Sequence, residues 1–522
     1  MKRIKAVGIF CLWALLAFAA QSEQRADHVT QYGITWTFDK EYPVGQFVNG
    51  DWWVVGPVQV VSVSPEPGPV ADAADVSQKS RYGAAALVSD GKMRNGSMIV
   101  EGPDYSDGDN CGFAKQGYDS RVLNYSASRS VKFPCALKAN RSLISTISSE
   151  KIADGKLSTP DILGQYKIFL NSSASSPIAL ETAAILTCLD AIPPPDAFRP
   201  AFSGTEKTLY RTSNIRWELL PKLPKLSSCP DWAMMNRIFE RSWIDHMTSW
   251  MVQHTVPGLN GPHYGREFAR MSSLAALMLL QDVPRETKEP LMIGYLQLGI
   301  DLAGLAQNGK HWASDGGHWQ GRKWPILFAS LMLNDPELRN FPPADLSKPV
   351  YGYSVAASDA VRVPTTLFQE DMDYYYGKGG DGQVFLWQIV NHTGAKPPHQ
   401  ERPKASLQGF DKTIEGYYVN NLAGGAGVAL AAQLMGARAL WNKEAFFDHI
   451  DWWMLEAQWE NRPKWMPDDL KKTYDKFVED MWAAYRDDVP EQPKGKDNLK
   501  WVWKSDHTGY WETNPPIAAD QK

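Results

Sequence analysis

IPPPDAFRP, from Ile192 to Pro200, divides the chain. Its prolines remove backbone donors that neither a helix interior nor a central strand can spare, and further prolines follow at Pro221, Pro224 and Pro230. On the N-terminal side, from His28, short β-branched and aromatic runs alternate with Gly, Pro, Asn and Asp: ITWTF, WWVVGPVQVVSV, GSMIVEG, SVKFP, YKIFL and AAILTCL. These are strand signals with turn punctuation. Their number and length predict a β-sandwich over residues 28–200, and the run from Val54 to Val63 is too continuously apolar to face water on either side. Residues 201–230 then read as a Pro-containing linker. Beyond Pro230 the hydrophobic period lengthens from about two to about three and a half. It predicts helices at Asp231–Gln253, Glu267–Leu280, Glu289–Ala306, Trp324–Leu333, Tyr417–Leu440, Lys443–Trp459 and Asp468–Arg486 within a helical region spanning 231–489. SLAALMLL and GVALAAQLMGARAL are apolar on more than one face, which places them between layers. A polar, Lys-rich tail occupies 490–522.

Composition bounds the class. With 522 residues, 43% hydrophobic and 22% charged, disordered, collagen-like and coiled-coil chains are excluded. A net charge of -5 supplies no global field toward nucleic acid or an anionic membrane, so an anionic ligand must be met by a local cluster. Lys2, Arg3 and Lys5 precede an apolar run from Ala6 to Phe18 and a small-residue site at Ala17 and Ala19, which reads as a signal peptide over 1–19. Secretion or periplasmic delivery is therefore expected, with no later membrane span. Removal of Cys11 leaves Cys111, Cys135, Cys188 and Cys229, an even number that allows one or two disulfides in an oxidising compartment. No C-x-x-C spacing points to a metal, and no cofactor motif is present.

The chemistry concentrates in two loops. Of ten histidines, five lie between His246 and His318, mostly in NGPHYGREFAR (Asn260–Arg270) and NGKHWASDGGHWQGRKWP (Asn308–Pro325). Each segment opens an apolar helix, a geometry that suits an anion. The first holds Asn260, His263, Tyr264, Arg266 and Arg270; the second holds Asp315, His318, Gln320, Arg322 and Lys323. These are the groups needed for β-elimination from a uronic-acid polysaccharide. Arg, protonated His or Asn can neutralise the carboxylate as charge develops, while Tyr or His moves the protons, without a metal. The bland alternative is a hydrogen-bonded loop network supporting the helices. Trp312, Trp319 and Trp324 flank the second loop, where sugar stacking and core packing compete as explanations. A third polar region, Gln369–His399, contains EDMDYYYGKGGDG and VNHTG. There Tyr375 and its neighbours are candidates to line a groove, and Asn391 with His392 to assist a carboxylate. The plain reading of this stretch is an irregular surface loop; its acidic run lacks a calcium-loop spacing.

N-x-x-H-Y-G-R and D-G-G-H-x-Q-G-R-K, in a helical region joined to a β-rich module behind a secretion signal, resemble secreted bacterial polysaccharide lyases of the alginate lyase and heparinase type. The resemblance implies an α+β multidomain protein: an N-terminal β-sandwich followed by an all-α, (α/α) toroid-like catalytic domain. It further implies Tyr264 with His263 as the proton-transfer pair, Asn260 and Arg266 as carboxylate neutralisers, His318 and Arg322 as further site groups, and an anionic polysaccharide or oligosaccharide as the partner. In many such lyases the β-rich part follows the helical one; here it precedes it. Three other readings compete. A toroid-borne glycoside hydrolase would need two carboxyl groups, drawn from Asp315 and Glu370, Asp371 or Asp373. A metal-dependent hydrolase would use His263, His311, Asp315 and His318, without a recognised spacing. A non-catalytic secreted carbohydrate-binding protein would use the same side chains for recognition alone.

Overall fold

The computed structural model describes residues 24–68, 93–103, 112–122, 124–149, 179–247, 255–262, 264–313, 317–342, 366–378, 384–388, 412–456, 470, 472–495, 499–503 and 509–513. The expected signal peptide, the YKIFL strand and Cys111 lie outside them.

Strands β1 (Arg25–Gln31), β2 (Ile34–Gln46), β3 (Trp52–Val55), β4 (Val58–Ser64), β5 (Ser97–Ile99), β6 (Cys135–Leu137), β7 (Arg141–Ser148) and β8 (Leu180–Leu189) form one eight-stranded sheet. Its order is β5-β7-β8-β3-β2-β4-β6, with β1 paired to β2. Only β3 with β8 runs parallel among its pairs. Gly56 and Pro57 split the run from Trp52 to Val63 into two strands, and Val61 within it is exposed.

The β-sandwich expectation is corrected here: the sheet curls into a half-barrel, and among the described residues no second sheet packs face to face on it. The reason is visible along β8. Ala184, Leu186 and Cys188 point into the curl with Ile34, Trp36, Val54, Val58 and Val60. Ala183 and Ile185, on the alternate positions, and Leu180, beyond the register shift at the start of β8, join a core made mainly by the helices. Both faces are thus buried, one by the sheet's own curvature and the other by helical residues. An apolar run such as AAILTCL cannot distinguish that from a sandwich.

The helical elements are α1 (Trp232–Phe239), α2 (Gly265–Leu279), α3 (Arg285–Gln307), α4 (Lys323–Met332), α5 (Gln369–Asp373), α6 (Lys412–Leu434), α7 (Arg438–Trp441), α8 (Glu444–Asp451) and α9 (Lys476–Tyr485). A π-helical turn, Trp452–Glu456, continues α8. The all-α toroid expectation is also corrected, because a hairpin, β9 (Tyr374–Lys378) with β10 (Val384–Gln388), interrupts the helices, and a second, β11 (Leu499–Trp503) with β12 (Gly509–Thr513), follows them. The architecture is mixed, with the helices and one face of the sheet sharing a core. The helix expected over Asp231–Gln253 ends at Phe239, and the described residues after it run without helix to Met247. That path delivers Asp245 to the buried cations described below.

The dividing segment itself is a junction. Arg199 is fully buried and donates to Asp51 beside β3 (2.5 Å), to Asp301 on α3 (2.9 and 2.5 Å), to Ser242 Oγ (2.8 Å) and to the Pro200 carbonyl (2.8 Å). Its own carbonyl accepts from Gln297 on α3. Cys135, Cys188 and Cys229 are free thiols, so the expected disulfides do not form among the described residues. Among those residues, no helix is long and apolar enough to cross a membrane.

Candidate active site

The two loops singled out by sequence meet at the heads of α2 and α4. Glycines allow it. A Cβ on Gly265 would lie 2.3 Å from the Gly317 carbonyl oxygen, and one on Gly317 would lie 2.3 Å from Tyr264 Oη. Backbone therefore packs on backbone, with the Tyr264 hydroxyl resting on the second loop. Tyr264 is the N-cap of α2, in extended conformation, and is 9% exposed. Its ring meets the half-buried His318 ring edge to face at 5.4 Å between centroids.

Around this pair, the cations expected to neutralise a substrate carboxylate are held by internal carboxylates. Arg266, buried, pairs with Glu267 and lies 4.8 Å over the Tyr474 ring. Arg270 donates to Glu267 (2.6 Å) and, through two nitrogens, to Asp475 (2.8 and 2.7 Å). Burial would push the Glu267 carboxyl up, but Arg266 and Arg270 outweigh it and hold the group below the usual carboxylate range. Arg322 forks onto Asp245 (3.1 and 3.2 Å), lies 3.8 Å from the Phe268 ring centroid, and donates to the His318 and Gln320 carbonyls. Asp245 also accepts from Trp312 Nε1 (3.0 Å) and neighbours Lys310. Burial again opposes its charge, and Arg322 and Lys310 reverse the balance to keep it ionised. Lys310, fully buried with its Nζ on the Asp245 and Met247 carbonyls, is pushed down to about 7 by burial.

Helix α5 fastens the second loop from the other side, three residues to three. Gln369 Oε1 accepts from Trp319 N (2.9 Å), Glu370 Oε1 from Gly321 N (2.6 Å), and Asp371 takes Lys323 Nζ on both oxygens (2.6 and 2.7 Å). Asp373 accepts from Gln369 and from Asn421 on α6. All five residues of α5 are buried, which corrects the reading of this acidic stretch as an irregular surface loop. Burial raises the Glu370 carboxyl to about 7.

Of the sequence-chosen groups, Tyr264, Arg266, Arg270, His318, Gln320, Arg322 and Lys323 are gathered at these loops, though Gln320 is buried and the four cations are internally paired. Asn260 is placed elsewhere. Its amide bridges Ala183 and Thr182 of β8 to the Ser242 carbonyl, fixing loop to sheet. Trp312, Trp319 and Trp324 are 0%, 1% and 0% exposed, so none offers a face for sugar stacking. Trp312 stacks on Phe368, and Trp324 on Trp441. His263, Asp315, Asn391, His392 and the Tyr375 side chain lie outside the described residues. His311 accepts the Leu367 N–H through Nδ1 (3.0 Å), and burial lowers it to about 4. Among the described residues, no group of three or more His, Cys, Asp or Glu is placed to hold a metal ion.

Sequence reading missed Asp245, Glu267, Asp475 and the α5 side chains as partners. The only local signals were Asp245 inside WIDHM, masked by a helical reading, and the acidic run beginning α5. No protein-family model, curated protein or solved structure matches the chain.

Proposed function

We propose that the protein is a secreted lyase that cleaves a uronic-acid-containing polysaccharide by β-elimination, with Tyr264 and His318 as its proton-transfer pair. One observation carries this reading. The two rings meet at the junction of both loops, while Glu267, Asp245, Asp371 and Asp373 near them are buried and bound to protein donors. A tyrosine hydroxyl can return a proton to the departing glycosidic oxygen, and a neutral imidazole can take the C5 proton; the roles can also be exchanged. Arg266 and Arg322 act as positioning residues, since their charges are already balanced by Glu267 and Asp245. The positive end of the α2 dipole, at its N-cap Tyr264, favours the substrate carboxylate.

Hydrolysis finds less support among the described residues, Asp315 lying outside them. Two carboxyl groups must flank the scissile bond, and Glu267, Asp245, Glu370, Asp371 and Asp373 are all buried. The test is incubation with alginate, glucuronan, heparin-like glycans and pectate, following the ultraviolet absorbance of the unsaturated uronate product. Rising absorbance supports elimination. New reducing ends without absorbance would replace it with hydrolysis, and saturable binding without cleavage would leave only a recognition module.

A further inference from the structure

The loop that carries His318 is pinned at Gly321. Its φ is +87°, a left-handed conformation that favours glycine, and a Cβ there would lie 2.6 Å from Ala269 Cα on α2. Its N–H is taken by Glu370 Oε1 at 2.6 Å. Gly321 is therefore sandwiched between α2 and α5, three residues beyond His318.

Glu370 is an unusual partner for this contact. It is 2% exposed, and its second oxygen, Oε2, is buried without a hydrogen-bond partner. The neighbouring cation is already committed, because Lys323 Nζ is bound by both oxygens of Asp371 and by the Trp441 carbonyl. Among the described residues, the charged groups acting on Glu370 are Asp371, next to it on α5, and Lys323 at the head of α4. Asp373, farther along α5, is engaged by Gln369 and Asn421. A second carboxylate charge, desolvated and with one bare oxygen, would be costly here. A neutral carboxylic acid still accepts the Gly321 N–H and avoids that cost.

We propose that Glu370 is a positioning residue that holds the His318 loop against α2 as a protonated acid, so that the loop loosens as this carboxyl ionises. This gives the site a pH-sensitive support distinct from the Tyr264–His318 pair, and it rests on the reading of His318 as a site residue. The direction agrees with burial raising Glu370 to about 7. Protonation stabilises the closed loop fully below 4.5, the value the group has when exposed, and that stabilisation is lost as the pH rises through about 7.

The test is hydrogen–deuterium exchange of the peptide covering residues 317–323 in the full chain, without substrate, at several pH values from about 5 to 9 and corrected for intrinsic exchange. For the wild type, opening is expected to rise by up to about tenfold per pH unit until near neutrality and then level off. Glu370→Gln, which keeps an acceptor for Gly321 but cannot ionise, is expected to remain flat across the range. A flat wild-type profile would overturn the protonated-acid assignment, and this arm needs no variant to fold. A wild-type slope that persists unchanged in Glu370→Gln would assign the titration to another group and overturn the proposal. Because no cleavage is measured, a chain that fails to release unsaturated uronate leaves this result to be judged separately.

Discussion

Two buried charge networks, built from the same residue types, differ in how completely they close. At the junction of sheet and helices, Arg199 distributes its donors over Asp51, Asp301, Ser242 and the Pro200 carbonyl, and no side of the guanidinium faces water. At the heads of α2 and α4, the cations are equally well paired, yet they enclose two titratable rings, Tyr264 and half-buried His318, and a buried acid with one unfilled oxygen. The first network joins parts of the fold. The second holds the two rings proposed as the proton-transfer pair against each other.

The comparison breaks most visibly at Arg199. Arg199→Ala leaves Asp51 and Asp301 buried without their cation, and the expected loss is about 3–5 kcal/mol. Chemical denaturation measures it. A variant with unchanged stability would show that the junction is not what joins sheet to helices. Next comes Trp312, fully buried between Asp245 and Phe368. Trp312→Ala is expected to cost about 3 kcal/mol or more through the cavity it leaves. If the variant instead keeps its stability and loses only glycan affinity, the packing assignment fails and sugar stacking returns.

Glu370→Gln gives the next effect, and its sign depends on pH. In the wild type the folded state holds a proton that the unfolded chain releases above about 4.5, so stability falls as the pH climbs from 4.5 to about 7. At about 1.4 kcal/mol per pH unit, the variant should gain up to about 3 kcal/mol on the wild type across that window, with no further change above it. Thermal unfolding of both proteins at matched pH values reads this, and a constant difference from acid to alkaline pH would contradict it. The smallest expected effect on stability is that of Tyr264→Phe, within about 1 kcal/mol, because the ring that packs on His318 is kept.

Sequence made the helices and their loaded loops legible because both are local. The 3.6-residue period locates α2, α3, α4 and α6 to within several residues, and the clustered His, Tyr and Arg identify the two loops that meet. It did not reveal how the strands are covered. A run buried on both faces reads the same whether a second sheet or a layer of helices lies beyond it, and only the division of β8 between two cores settles that. Nor did it reveal that the cations are internally paired. Glu267, between Arg266 and Arg270, is a local partner, but the others lie far apart in sequence, Arg322 with Asp245, Arg270 with Asp475 and Lys323 with Asp371, and no periodicity encodes such distances. The acidic start of α5 was legible as a charge cluster, but its burial depends on Trp319, Gly321 and Lys323 arriving opposite it.

The central claim is that Tyr264 moves a proton during elimination, and the most direct measurement is the rate of unsaturated uronate release by wild type and Tyr264→Phe on whichever uronic-acid polymer the wild type cleaves. Tyr264→Phe is expected to release product about 10²–10⁴-fold more slowly while unfolding at nearly the same temperature. A folded Tyr264→Phe protein that releases product at the wild-type rate would contradict it.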